Sequence, residues 1–214
     1  MDNYQTYIFD CDGVLLDSNN IKTEAFYEVA LPYGKDKAEM LTEYHRREGG
    51  ISRFEKFRYF FAEILMAENY QAKLEAAIVQ YGELVRQKLL SCPTTEMLVE
   101  FLQSLPSEAC KIVVSGGMQD ELRQVFAQRK LDTYFHYIFG SPDDKLKIIQ
   151  RETDIGTIRF PAVFFGDSKY DYRCACQYGI DFVFLSQYTE FADWPNYFYE
   201  HSEVKVVTNF KELF

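Results

Sequence analysis

Carboxylates recur at short spacing in two places of this 214-residue sequence. Asp10 and Asp12 stand two residues apart in FDCDGVLLDS, and Asp167 and Asp171 stand four apart in GDSKYD. Carboxylates that share a site suit a hard cation such as Mg²⁺, which takes oxygen ligands and keeps water that a phosphate can replace. A carboxylate is also a possible nucleophile, because an acyl-phosphate intermediate divides one slow displacement into two faster ones. The acidic residues therefore indicate metal-assisted phosphoryl transfer.

Further residues along the chain strengthen this reading, since an acidic turn alone is ordinary. Ser115 supplies a hydroxyl, and Gly116 and Gly117 are expected to leave backbone N–H groups open at a helix N-terminus, where an anion is favoured. Lys145 precedes a helical pattern and would bring a positive charge to the same phosphoryl oxygens and to Asp10. Taken alone, the serine segment is as often a plain turn, and the lysine would be a surface residue.

The elements that must position these residues are apolar runs that end in polar or acidic residues. Four such runs are present: Tyr4 to Phe9, Lys111 to Val114, Ala162 to Phe165 and Phe182 to Leu185. Near-continuous apolar strands with helical patterns between them indicate a parallel sheet covered on both faces, and such sheets carry their sites at the carboxyl ends of the strands. The sequence therefore predicts an α/β fold with a Rossmann-like, doubly wound parallel sheet.

The stretch from 19 to 89 has a different pattern and charge. Its apolar residues recur at helical spacing in two stripes: Phe54, Phe57, Phe61, Ile64, Leu65, and Leu74, Ile78, Tyr81, Val85. We assign these stripes to core packing rather than to a cofactor site. Residues 19–88 hold 11 basic and 11 acidic residues, against 12 and 22 in the rest. We predict a catalytic core of residues 1–18 and 90–214 and a small all-helical cap domain of residues 19–89.

Composition excludes several classes of protein. The hydrophobic fraction of 47% is that of a globular chain, and no segment approaches the roughly 18 uninterrupted apolar residues of a membrane span. The net charge of −10 argues against nucleic-acid binding. Five cysteines without a CxxC pair indicate reduced thiols, and no secretory signal is visible, so we expect a cytoplasmic protein. It would act on a small molecule, without a membrane, as a monomer or homodimer.

The four motifs, taken in order, resemble the haloacid dehalogenase superfamily in its phosphatase branch, and the likeness covers essentially the whole chain. The most specific piece is FDCDGVLLDS. The resemblance implies that Asp10 is the nucleophile and Asp12 the general acid and base. It implies phosphate binding by Ser115, together with Gly116, and assigns the lysine of the third motif to Lys145.

The same resemblance implies a magnesium site. Asp167 and Asp171 match the acidic pair of the fourth motif, and Asp10 and the backbone carbonyl of Asp12 would complete the ligands. The second aspartate of the first motif also rules out the dehalogenase branch, which lacks an acid there. As an acid toward the leaving group, Asp12 would need a pKa above about 3.9 in the bound complex, and we expect burial under the cap to raise it.

The helical insertion is similar to the cap of phosphoglycolate-phosphatase-like and β-phosphoglucomutase-like members, and would close over the substrate. Its segment REGGISRFEK is predicted to face the substrate, with Arg53 as the preferred contact to a second anionic group or a sugar hydroxyl. Three neighbours, Arg46, Arg47 and Lys56, offer similar charge. His45 is expected at the surface.

These features predict a Mg²⁺-dependent phosphatase that hydrolyses a small phosphate monoester through an aspartyl phosphate. A phosphomutase of the β-phosphoglucomutase type would use the same residues and is kept as an alternative. A non-catalytic regulatory or binding module is a third. A response-regulator receiver domain leaves the helical cap unexplained, and the absence of a GxxxxGK[ST] string excludes a P-loop nucleotidase.

Overall fold

A computed structural model describes residues 3–214 of the chain. Its centre is a six-stranded sheet in the order β3-β2-β1-β4-β5-β6, with every neighbouring pair parallel. The strands are β1 Thr6–Phe9, β2 Cys110–Met118, β3 Tyr137–Ser141, β4 Ala162–Gly166, β5 Asp181–Leu185 and β6 Lys205–Val207. The predicted α/β class is confirmed.

Alternate residues of each strand point to opposite faces of the sheet, and both faces are covered. Tyr7 and Phe9 belong to one buried cluster, whereas Ile8 between them belongs to the other. The helices of the sheet domain are α5 Leu98–Ser104, α6 Gln119–Gln128, α7 Lys145–Asp154, α8 Lys169–Gln177 and α9 Trp194–Tyr199. Burial on both faces explains why the inner strands read as unbroken apolar runs.

A helical insertion separates the first two strands of the sheet. Its helices are α1 Asn19–Ala30, α2 Lys35–Arg47, α3 Arg53–Tyr59 and α4 Gln71–Ser91, and α3 continues into a π-helical turn at Phe60–Ile64. Phe26 packs against Phe57 and Tyr81, with ring centroids 5.0 and 4.4 Å away. The two predicted stripes thus form the insertion's own core, and α4 extends two residues beyond the expected boundary at 89.

Two strands of the sheet were not expected from the sequence. β3 and β6 lie at the two edges, and β6 has only three residues, of which Lys205 and Val206 are exposed. β6 thus lacks the continuous apolar run that marks an inner strand, and the run in β3 is short, ending at Phe139 before Gly140. Within residues 3–214, no helix is both long enough and apolar enough to cross a bilayer.

Candidate active site

The carboxyl ends of β1, β2 and β4 meet beneath the helical insertion, and a cavity of about 60 Å³ lies between them. β1 is the central strand of the three, because Phe9 pairs with Val113 of β2 and with Phe165 of β4. The chain reverses its winding direction at such a strand, and α/β sheets bind their ligands there. Both halves of the molecule line the cavity, so a ligand in it would contact the sheet and the insertion together.

Asp10 is the first residue after β1, and its backbone N–H donates to the Phe165 carbonyl at 2.9 Å. Its side chain is buried, and Oδ1 lies 2.8 Å from Nζ of Lys145 at the start of α7. Burial raises the pKa of Asp10 to about 7; the Lys145 ammonium opposes this rise, whereas the carboxylates of Asp171 and Asp12 add to it. The structure thus places a carboxylate and a lysine together as the sequence predicts.

Asp167 follows β4 and is buried beside Asp10. Burial, with the nearby carboxylates of Asp10 and Asp171, raises the pKa of Asp167 well above its ordinary value. Oxygen atoms of these three aspartates lie within 4.8 Å of one another. Asp10 Oδ1 is buried and accepts no hydrogen bond of good geometry from the described residues. Crowded, incompletely satisfied carboxylate oxygens of this kind fit a hard divalent cation such as Mg²⁺.

Gly13 makes room for this acidic cluster. Its φ of +75° is one that residues with a side chain rarely adopt, and a Cβ there would lie 2.3 Å from Oδ2 of Asp167. The same Cβ would lie 2.4 Å from Nδ2 of Asn19, which donates to Asp167 at 2.7 Å. The glycine in the first motif therefore permits the aspartate of the fourth motif to approach.

Asp171 is the most enclosed member of the acidic cluster. Oδ1 accepts from Lys145 at 2.6 Å and Oδ2 accepts from the Ser168 hydroxyl at 2.6 Å. Ser168 in turn caps α8 by accepting from the Asp171 backbone N–H at 3.2 Å. Asp171 therefore anchors Lys145 in this structure, and it does not line the cavity. Its role as a magnesium ligand stays a prediction.

Asp12 lines the cavity but has a different electrostatic environment from Asp10. Its Oδ1 accepts from the Ser18 hydroxyl at 2.6 Å, and its Oδ2 contacts the Lys22 ammonium on α1. Burial acts to raise the pKa of Asp12, but Lys22 and Ser18, with a smaller contribution from Lys145, hold it below its ordinary value. The expectation that burial would raise this pKa is not met in the ligand-free protein, because an ammonium group stands beside the carboxylate.

The Ser115 segment differs from its prediction in two respects. Ser115 to Met118 continue β2, and α6 begins only at Gln119, so the glycines do not stand at a helix N-terminus as expected. The Gly117 N–H is not open either, since it donates to Ser115 Oγ at 3.0 Å. Ser115 is fully buried, whereas Gly116 and Gly117 line the cavity. Phosphate binding by Ser115 and Gly116 stays a prediction.

Gly116 also brings the sheet domain against the insertion. A Cβ at this position would lie 2.5 Å from the backbone oxygen of Gly50 and 3.1 Å from that of Ile51. Any side chain would therefore push the insertion away from the end of β2. The segment REGGISRFEK, expected to face a substrate, lines the cavity through Arg47, Gly49, Gly50, Ile51, Arg53 and Lys56, and Arg46 just before it lines the cavity as well.

Arg53 is buried at the start of α3, and an acidic side chain of the sheet domain already engages it. Its Nη1 and Nη2 donate to the two carboxylate oxygens of Glu121 on α6, at 3.1 and 2.5 Å. Its guanidinium also lies over the Tyr81 ring at 4.7 Å from the centroid. The forked ion pair links the insertion to the sheet domain. Direct contact of Arg53 with a substrate stays a prediction.

His45 is buried, so its expected surface position is wrong. Its side chain packs on Phe26, with ring centroids 4.6 Å apart, and Nδ1 lies 2.6 Å from Nζ of Lys56. Burial, followed by the charges of Lys56, Lys22 and Arg46, lowers the pKa of His45 well below its ordinary value. Helical periodicity alone does not reveal this burial, because α2 is mostly polar and only one narrow face packs inward.

Several cavity residues were not identified from the sequence, among them Asn19, Lys22 and Glu190. Lys22 lies four residues after Ser18 on α1, a spacing that puts both side chains on one side of the turn toward Asp12. That spacing is a usable signal. Glu190 reaches the cavity from the loop after β5, and its carboxylate accepts from the Thr23 hydroxyl at 2.6 Å. No local sequence pattern predicts a contact between residues so far apart in the chain.

Comparison with known proteins agrees with this geometry. Residues 7–185 match the family model described as haloacid dehalogenase-like hydrolase. A phosphorylated carbohydrates phosphatase of Thermotoga maritima is 26% identical over 192 residues, covering 84% of each chain. The chain therefore belongs to the haloacid dehalogenase-like hydrolase family. It is an enzyme of that family, and the phosphatase name of its relative agrees with the branch that the motifs indicate.

Two solved structures share the fold at low identity. A protein described as a predicted phosphatase from Clostridium acetobutylicum superposes with a TM-score of 0.74 at 18% identity, covering 98% of this chain and 96% of that one. The β-phosphoglucomutase of Clostridium difficile superposes with a TM-score of 0.74 at 14% identity, covering 100% and 94%. The insertion and the sheet are thus a shared arrangement, whatever each protein acts on.

The environment of Lys56 generates a prediction about stability. Burial, helped by the charges of Lys22 and Lys145 and opposed by those of Glu190 and Asp12, lowers the pKa of Lys56 from 10.5 to about 7. Between these values the unfolded chain binds a proton that the folded chain does not. This lysine therefore makes the unfolding free energy rise with pH from about 7 to 10.5, by at most about 1.4 kcal/mol per pH unit.

Lys56→Met removes this component, so its unfolding free energy should exceed that of the wild type most at low pH, with the gap narrowing toward pH 10. Urea unfolding at pH 7.5, 8.5 and 9.5 measures the difference. Lys73→Met replaces an exposed lysine of α4 and serves as the control. It should leave the dependence of the unfolding free energy on pH unchanged. If the unfolding free energies of Lys56→Met and wild type changed with pH in parallel, the pKa of Lys56 in the folded protein would not be lowered.

Proposed function

We propose that the protein is a Mg²⁺-dependent phosphatase that hydrolyses a small phosphate monoester through an aspartyl phosphate on Asp10. The observation that carries the proposal is the environment of Asp10 at the end of β1, on the floor of the cavity. A buried carboxylate with a lysine 2.8 Å away and a second acid two residues on has the parts that such a nucleophile needs.

In the first step, an Asp10 oxygen attacks phosphorus and forms a new P–O bond while the ester P–O bond breaks. The leaving alcohol oxygen takes a proton from Asp12. Lys22 keeps Asp12 ionised in the free protein, but a phosphoryl group beside it adds negative charge, and a like charge raises the pKa of a carboxyl. Substrate binding thus favours the protonated form that the first step requires.

In the second step, water attacks the phosphorus of the aspartyl phosphate, and the P–O bond to Asp10 breaks. Asp12, which has lost its proton to the alcohol, accepts one from this water. Inorganic phosphate leaves, and both carboxyl groups return to their starting state. Lys22 and Ser18 suit this half of the cycle, because they stabilise the ionised Asp12 that acts as a base.

Mg²⁺ would be held by side chains of Asp10 and Asp167 and the backbone carbonyl of Asp12, with Asp171 close behind. The ion supplies charge stabilisation to the transferring phosphoryl oxygens. Lys145 stabilises the same oxygens and orients Asp10, since Asp171 fixes its ammonium group at 2.6 Å. Several stabilising charges are needed because uncatalysed phosphate-monoester hydrolysis needs accelerations up to about 10²¹.

Residues 19–89 would act as a cap that excludes water while the aspartyl phosphate forms. The Arg53–Glu121 ion pair and the close approach of Gly116 to Gly50 support this role, because both hold the insertion against the strand ends. The relative from Thermotoga maritima, by its name, acts on phosphorylated carbohydrates, which agrees with a small phosphate ester as substrate. A shared fold with a mutase at 14% identity does not favour the mutase alternative.

We also assign the protein to the cytoplasm. Its five cysteines, Cys11, Cys92, Cys110, Cys174 and Cys176, are all free thiols, and four of them are buried. Unpaired cysteines are typical of a reducing compartment.

Replacing the nucleophile should abolish turnover. Asp10→Asn is expected to lower kcat/KM by roughly 1,000-fold or more on the best substrate of a panel of sugar phosphates, nucleotides and phosphorylated acids, because an amide cannot form the covalent intermediate. Phosphate release in the presence of Mg²⁺ is the measurement. Asp17→Asn, in the same segment but outside the cavity, serves as the matched control. Full activity of Asp10→Asn, or no turnover by the wild type on the whole panel, would disprove the proposal.

Magnesium should stabilise the fold as well as support turnover. Mg²⁺ at 100 times its dissociation constant is expected to raise the unfolding free energy by about 2.7 kcal/mol, because it binds only the folded cluster of carboxylates. Thermal unfolding with Mg²⁺ or with a chelator measures this shift. Asp167→Asn should lose most of it. An equal shift in both proteins would place the ion elsewhere.

A further inference from the structure

Lys56 and His45 form a buried pair in the insertion that the proposed mechanism does not use. Both side chains line the cavity, with Lys56 2% and His45 7% exposed. Lys56 Nζ lies 2.6 Å from His45 Nδ1, 3.4 Å from the His45 carbonyl oxygen and 5.6 Å from the centroid of the Phe26 ring. The amine of Lys56 is therefore in contact with an imidazole, a backbone carbonyl and an aromatic ring.

Lys56 differs from the other buried cations on the cavity wall in having no acidic partner. Lys22 is paired with Asp12, and Arg53 with Glu121. Among the described residues, no carboxylate oxygen lies within 4.0 Å of Lys56 Nζ. Placing a charge on a buried amine without a counterion is costly, so Lys56 would carry its proton most readily beside a bound anion.

His45 adds a second unused donor to the same wall. Because its Nδ1 faces the Lys56 ammonium and accepts from it, its ring proton is assigned to Nε2. That Nε2 is buried and without a hydrogen-bond partner among the residues described. The nearest acid is Glu190, whose Oε2 lies 3.5 Å away and already accepts from the Thr23 hydroxyl at 2.8 Å. A lysine amine without a carboxylate partner and an imidazole N–H without a hydrogen-bond partner thus stand side by side.

We infer that Lys56 and His45 form a specificity subsite for a second anionic group of the substrate, a carboxylate or a second phosphate. This inference rests on the proposed function, in that the phosphoryl group to be transferred occupies the Asp10 end of the same cavity. The two donors match two anionic oxygens, and the negative charge of the group would favour the protonated form of Lys56. A cavity of about 60 Å³ suits a short molecule that carries both groups.

Binding of three small phosphonates tests the subsite without requiring turnover. Ethylphosphonate carries one anionic group, phosphonoacetate adds a carboxylate, and ethane-1,2-bisphosphonate adds a second phosphonate on the same short scaffold. Titration calorimetry with Mg²⁺ measures each affinity. The wild type should bind at least one of the two doubly anionic ligands about 10- to 100-fold more tightly than ethylphosphonate, the range of one charge-assisted hydrogen bond. The doubly anionic ligand that binds more tightly than ethylphosphonate shows whether the second group is a carboxylate or a phosphate.

Lys56→Met should remove this preference by weakening the binding of the doubly anionic ligand far more than that of ethylphosphonate. Lys56→Gln keeps a donor for His45 Nδ1 while removing the charge, and replaces Lys56→Met if that variant does not fold. Lys73→Met, at an exposed position of α4, is the matched control and should retain the wild-type ratio.

A wild type without preference for either doubly anionic ligand, or an equal preference in the Lys56 variants, would overturn the inference. The proposed function fails differently, through absence of turnover or an active Asp10→Asn enzyme. An enzyme that turns over normally but shows no charge preference would therefore reject the subsite alone.

Discussion

The active site depends on one electrostatic constraint: three buried carboxylates are held close together at the carboxyl ends of the inner strands. Oxygen atoms of Asp10, Asp167 and Asp171 lie within 4.8 Å of one another, and Lys145 is the cation that contacts two of them. Carboxylates in a dry site repel each other and resist ionisation, as the raised pKa values of Asp10 and Asp167 express. The site therefore favours positive charge, which a divalent cation would supply, and a bound cation would in turn attract an anionic phosphoryl group.

The sheet makes this confinement possible. Parallel strands have their carboxyl ends on the same side of the sheet, so residues that follow different strands become neighbours although they lie far apart in the sequence. Two glycines allow the closest approaches in the site, because a side chain at Gly13 would clash with Asp167 and one at Gly116 would clash with the backbone of the insertion. The pKa values of the two aspartates of the first motif shift in opposite directions: burial prevails at Asp10, whereas at Asp12 the Lys22 ammonium and the Ser18 hydroxyl together outweigh burial. Neighbouring groups with opposed pKa shifts are typical of a nucleophile and its acid–base partner.

The sequence predicts much of this, because the chemistry lies in short motifs at the ends of strongly apolar strands. The inner strands, the helical insertion and the proximity of Asp10, Lys145 and Asp167 follow from patterns that extend over a few residues. The edge strands β3 and β6 do not, since the apolar run of β3 is only Tyr137 to Phe139 and β6 is a three-residue strand with two exposed residues. Nor does the environment of a side chain follow from its motif. Burial of His45 and the pairing of Arg53 with Glu121 depend on contacts between segments far apart in the chain.

The insertion contributes charge as well as shape. It brings Lys22, Arg53 and Lys56 over an acidic floor, so the cavity has a negative wall from the sheet and a positive wall from the helices. This arrangement of charge suits a substrate whose anionic groups are held by the basic residues of the insertion while Asp10, on the sheet side, attacks phosphorus. Separate residues would then govern the chemistry and the choice of substrate, and the second set can vary without disturbing the first.

Covalent attachment of phosphorus to Asp10 is the central claim, and trapping the acyl phosphate tests it most directly. Enzyme mixed with a substrate and Mg²⁺ is quenched within one turnover and reduced with borohydride, which converts an aspartyl phosphate into homoserine. Peptide mass spectrometry should then find homoserine at position 10 in the wild type and not in enzyme treated without substrate. Turnover that leaves Asp10 unmodified, or a label on another carboxylate, would contradict the account.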